Sequence, residues 1–191
     1  MQRKLKVILA VLSVLLVTSM VALTRSKRSS QVAQSLYRNQ TTSPIRGLSI
    51  QEVDNLLNGR GAGYARTAEL NSYPGPLHIL ELQDQLEVSN EQIQQIESVF
   101  EKMNAEAKAL GQDIVEQERK LSAAFASKQI NPSELQTQTQ RLAALYGKLR
   151  ATHLEAHLAV TPLLSPKQIA AYDHLRGYTG SKASHKHHPN H

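Results

Sequence analysis

Between Asn90 and Phe125 the chain contains no proline, and Gly111 is its only glycine. Apolar residues return at alternating steps of three and four: Ile93, Ile96, Phe100, Met103, Ala107, Leu110, Ile114, then Leu121 and Ala124, with Gln117 as one polar interruption. That spacing places one apolar seam along a continuous helix. At 1.5 Å per residue the helix would be about 54 Å long. Asn131-Pro132-Ser133-Glu134 then reads as a new helix start, with Asn131 as N-cap, Pro132 in the first turn and Glu134 at the third position. The seam resumes at Leu135, Leu142, Leu145, Leu149 and Ala156, widened by Tyr146. A connection this short, turning near Gln129 and Ile130, requires the two long helices to lie antiparallel.

The rest of the chain is punctuated in the same manner. Val88-Ser89-Asn90-Glu91-Gln92-Ile93 recurs as Leu164-Ser165-Pro166-Lys167-Gln168-Ile169 on the far side of the hairpin. Each is a capping box: Ser89 and Ser165 can take a free amide of the first turn while Gln92 and Gln168 reach back. Leu48-Ser49-Ile50-Gln51-Glu52 is a looser third copy. Short helices are expected over residues 49–57, 64–70 and 77–86, separated by Asn58-Gly59 and by Tyr73-Pro74-Gly75-Pro76. No stretch alternates with period two. The expected fold class is all-α: a long antiparallel helical hairpin with short N-terminal helices and a C-terminal capping helix. Aromatic residues are only 4% of the chain, which suits a narrow aliphatic seam better than a broad core.

The N-terminus has another purpose. Arg3, Lys4 and Lys6 precede an apolar run over residues 7–23, the pattern of a segment entering the export machinery. Residues 1–24 are read as a signal anchor or a cleaved signal peptide, because the run is near the short limit for a span and no good cleavage site follows. Residues 25–45 are polar and basic and read as a flexible tether, 46–178 as the helical domain, and 179–191 as a disordered His-rich tail. Much of the +6 formal charge lies near the apolar run, which favours an anionic membrane surface over nucleic acid. There is no cysteine, so disulfides, thiolate metal sites and thiol chemistry are excluded.

A signal segment, a long hairpin and two aliphatic-Ser-x-x-Gln helix starts resemble the Spy/CpxP family of periplasmic proteins, named for its LTxxQ motif. Ser89 and Ser165 stand where that motif has Thr. The stretch 63–76 also resembles the branch of periplasmic heavy-metal sensors. The resemblance implies a non-enzymatic protein of the bacterial periplasm, anchored to the inner membrane or cleaved and soluble. The same resemblance implies a role in envelope stress or metal resistance, as a metal-responsive or metal-buffering protein or, alternatively, as an ATP-independent refolding chaperone or stress-signalling modulator. Implied partners are unfolded envelope proteins or a membrane signalling protein.

Histidine supplies the candidate chemistry. His153 and His157, four residues apart on the second long helix, share one face and can share an ion. Antiparallel pairing brings them level with Met103 and Glu106. The resemblance implies a nickel, cobalt, zinc or copper site of His153 and His157 with Met103, Glu106 or His78 as further ligands. The competing reading is packing: both histidines border the apolar seam, and Met103 continues its spacing. His185, His187, His188 and His191 form a second, loose set of imidazoles. No organic cofactor is expected, and no nucleophile elbow, phosphate loop or HExxH motif is present, so no enzyme is expected. Ala105, Ala109, Ala123, Ala143 and Ala151 would let a second hairpin approach closely, so a homodimer is expected.

Overall fold

The computed structural model describes residue 35 and residues 37–43 and 45–179. The apolar segment at residues 7–23, most of the tether and the four tail histidines lie outside them. Among the described residues no helix is long and apolar enough to cross a membrane. The chain divides into two units, one ending at Thr41, in which Arg38–Gln40 forms a single 3₁₀ turn, and one beginning at Thr42.

The second unit is helical throughout, with no strand among the described residues. Its elements are α1 (Ile50–Leu57), α2 (Arg66–Glu69), α3 (Pro76–Glu81), α4 (Asn90–Ala126), α5 (Pro132–Val160), a 3₁₀ turn (Thr161–Leu163) and α6 (Pro166–Leu175). Side-chain caps start four of them. Ser49, Ser89 and Ser165 each accept a bond from the third helical amide, and Glu52, Gln92 and Gln168 reciprocate. Asn131 caps α5 through the Glu134 amide at 3.0 Å. Each box satisfies two amides that the helix itself leaves free.

The start of α4 meets the end of α5, so the two helices run antiparallel. Gln92 Nε2 donates to the Leu163 carbonyl at 2.6 Å and to Gln168 Oε1 at 3.2 Å, while Gln168 Nε2 donates to Gln92 Oε1 at 3.2 Å and to the Glu87 carbonyl at 3.4 Å. The repeat is therefore physical. Glu87 stands five residues before Gln92 as Leu163 stands before Gln168, and the two boxes clasp each other amide to amide in a locally twofold arrangement. Glu suffices in the first box, where Glu52 caps its own helix only. The other two need Gln, because a carboxylate could accept the cap bond but has no N–H to give its neighbour.

Two apolar clusters follow. One lies at this clasped end: Ile79, Leu86, Ile96, Val160, Leu164 and Tyr172. The other runs along the hairpin under α1: Ile45, Leu48, Leu56, Ala107, Ile114, Val115, Leu142 and Leu149. The single glycine of α4 explains how α1 docks. A Cβ on Gly111 would fall 2.0 Å from the Leu56 carbonyl oxygen, so the backbones touch there and no side chain fits between them.

Three boundaries differ from the sequence expectation. Ile45, expected to fall before the helical domain, is buried in the core, and the second compact unit begins at Thr42. The helix expected over 77–86 is only Pro76–Glu81, followed by turns that place Glu87 at φ +51°. That path still buries Leu86, so its apolar spacing is used without helical continuity. The helix expected over 64–70 is Arg66–Glu69; it has no side-chain cap, and Tyr64 is used for packing instead.

Candidate functional site

His153 and His157 lie on α5 where the segment from α1 to α3 crosses it, and both are buried. Tyr64 stacks on His153, with ring centroids 5.7 Å apart and planes 8° from parallel. His157 Nδ1 lies 2.8 Å from the Tyr73 carbonyl oxygen, in the turn before α3. A carbonyl only accepts, so Nδ1 carries a hydrogen and Nε2 is the nitrogen left to face the cleft. Both rings thus serve packing, as points where the N-terminal segment is held. Packing leaves Nε2 of each ring uncommitted: that of His153 is buried and has no hydrogen-bond partner. Burial first, and His157 second, push the His153 pKa below the ordinary histidine value, so the ring is neutral.

Both rings line a cleft of about 590 Å³. Met103 and His78 line it too, but Glu106 does not. Glu106 is exposed and borders a separate shallow cleft of about 170 Å³ with Met103, Thr152 and Glu155. One helical step separates the two faces of α4, so only buried Met103 reaches both. His78 pairs with Glu81 at 2.8 Å near the rim. Of the expected first set, His153, His157, Met103 and His78 share a cleft and Glu106 stands outside it.

One residue was not legible in the sequence as part of this cleft. Glu69, the only carboxylate between Asp54 and Glu81, is carried into it by α2. It accepts from the Tyr172 hydroxyl at 2.9 Å and from the Tyr178 hydroxyl at 2.8 Å. Burial raises the pKa of both tyrosines, with Glu69 adding to the rise, so each hydroxyl is a donor. Gly75 makes room for the arrangement. Its amide donates to Tyr172 Oη at 3.2 Å, and a Cβ there would lie 2.8 Å from Glu69 Oε1 and 3.2 Å from His157 Nε2. Its isolation as an acid was the only sequence signal for Glu69; its tyrosine partners come from more than 100 residues away.

Among the described residues, no three His, Asp or Glu side chains converge closely enough to hold an ion by themselves. An ion on His153 and His157 would take its other positions from the Met103 thioether or water, with Glu69 held back by its two tyrosines. Compared with protein-family models, curated proteins and solved structures, the chain has no match.

Proposed function

We propose that this is a non-enzymatic envelope protein of the Spy/CpxP type, exported by residues 1–24 and metal-responsive through His153 and His157. The observation that carries the reading is the buried Nε2 of His153, without a partner, one turn from a second imidazole whose Tyr73 bond leaves its own Nε2 free. For His157, a ring with Nδ1 held by a carbonyl presents Nε2 in the orientation a borderline divalent ion selects. Since Tyr64 and the Tyr73 turn rest on the same two rings, binding there would be felt by the whole segment between α1 and α3. That is what a sensor requires. The incomplete ligand set suits a responsive or buffering site better than a permanent structural one.

Titration of the full chain in detergent micelles with Ni²⁺, Zn²⁺ and Cu²⁺, with and without residues 180–191, tests it. A folded-site affinity of about 10 μM or tighter should survive removal of the tail and be lost in His153→Gln/His157→Gln, with helical circular dichroism unchanged. Binding that disappears with the tail alone would defeat the folded site.

A chaperone reading draws on the turn end of the hairpin, where Phe125 is 55% exposed beside a cleft of about 340 Å³ that also includes Arg46, Leu121 and Ser122. Aggregation of an unfolding client, measured in EDTA, separates the two. Suppression without metal, lost in Phe125→Ser, favours the chaperone.

A further inference from the structure

The histidines occupy only the buried floor of the 590 Å³ cleft. Its volume is far more than an ion needs and falls within the range of small-molecule pockets. Its walls are apolar: Ala65, Pro76 and Phe100, with Leu70 and Leu77 reaching out to solvent. Its cations are guanidinium groups, Arg60, Arg66 and Arg176, all on exposed residues at the mouth.

These three are not equivalent. Arg60 is held by Asp54 at 2.7 Å. Among the described residues neither Arg66 nor Arg176 has a carboxylate within ion-pairing distance. The Arg66 guanidinium extends over Gly63, 3.3 Å from where a Cβ would stand, and Arg176 lies 5.9 Å from the Tyr178 ring centroid. Arg66 keeps its fork of donors unpaired, whereas Arg176 is held beside the Tyr178 hydroxyl and near the Glu69 carboxylate and has part of its fork to offer. The one carboxylate in the lining, Glu69, is occupied by two tyrosine hydroxyls. Cationic donors over an apolar hollow select a ligand with an anionic head and an apolar body, and guanidinium matches a carboxylate in two-point geometry.

We infer that this cleft binds a small organic monocarboxylate, its head held by Arg66 and Arg176 and its apolar body lying against Phe100, Leu70 and Leu77. The inference goes beyond the metal reading, because the residues it uses are the mouth and walls rather than the imidazoles. A ligand so held would bridge α2, α4 and the segment after α6. It would tie together the same N-terminal crossing that rests on His153 and His157.

The test uses the full chain in detergent micelles with EDTA present, so that no metal takes part. Phenylacetate is titrated by calorimetry against its neutral isostere phenylacetamide and the cation phenethylamine, with empty micelles as the blank. Phenylacetate should bind with a dissociation constant of about 1 mM or tighter. Phenylacetamide and phenethylamine should be about tenfold weaker or worse, and Arg66→Gln and Arg176→Gln should each weaken phenylacetate by a similar factor. Arg141→Gln, on the exposed side of α5 away from the cleft, should leave it unchanged. Equal binding of acid and amide, loss of affinity in Arg141→Gln as large as in Arg66→Gln, or no binding of phenylacetate would overturn the inference. Each of those outcomes leaves the metal titration to succeed or fail separately.

Discussion

Ile96 and Leu135 both belong to the apolar stripe of the long helices, yet Ile96 is fully buried and Leu135 is 37% exposed. They mark the two ends of one hairpin. At the clasped end, two capping boxes, a pair of glutamine amides and the cluster around Tyr172 enclose the helix termini. At the turn end, no residue from 118 to 141 is buried, although the stripe continues through Leu121, Ala124 and Leu135. A seam between two helices excludes water only where a third element covers it, and the N-terminal segments reach only part of the length. The clasped end is held by burial. The turn end is held by helix propensity, by Asn131 and by the Arg46 amide donating to Ser122 Oγ at 3.3 Å.

The largest effect expected from this contrast is in side-chain truncation. Ile96→Ala should cost about 2–5 kcal/mol, as for other fully buried aliphatics, whereas Leu135→Ala should cost about 1 kcal/mol or less. Urea denaturation of the two variants measures both, and equal losses would mean that the turn end is covered in solution, as the expected homodimer would cover it. Gly111→Ala should follow. It gains about 1 kcal/mol of helix propensity, but the new Cβ meets the Leu56 carbonyl and not the end of a flexible side chain. Overpacking of this kind costs about 1–3 kcal/mol or more, so a net loss is expected, with hydrogen exchange accelerated in α1.

The glutamine clasp sharpens the comparison further. Gln92→Glu keeps the acceptor for the Ser89 amide but removes the donors to the Leu163 carbonyl and Gln168. A loss of about 1–3 kcal/mol is expected, with Glu52→Gln near neutral in the same melt. If both changes cost the same, the clasp is only a pair of caps. At the other end, Asn131→Ala should cost about 1 kcal/mol, seen as fraying of the first turn of α5 and not of the clasped end.

The smallest effect is in pH. His153 is neutral when folded, with its pKa held below the ordinary value by burial and by His157. The unfolded chain therefore takes up the proton first. Stability from this group is fully present above the ordinary histidine pKa of about 6.5 and falls as pH drops below that value toward the folded pKa. His153→Gln should flatten that part of the stability curve. An unchanged slope would transfer the effect to another group.

The long helices, their starts and the repeated boxes were legible in the sequence, because helix periodicity and capping join residues no more than four apart. Ser89, Gln92, Asn131, Ser165 and Gln168 act where their spacing placed them. Tertiary structure decided the rest. It paired Gln92 with Gln168, and it set Gly111 against Leu56. It also put Glu69 rather than Glu106 in the cleft that the two histidines line, and buried one end of a uniform seam while leaving the other open. These outcomes depend on which distant segment crosses a helix, and at what height. A periodic pattern carries the direction of a face but not the identity of what covers it.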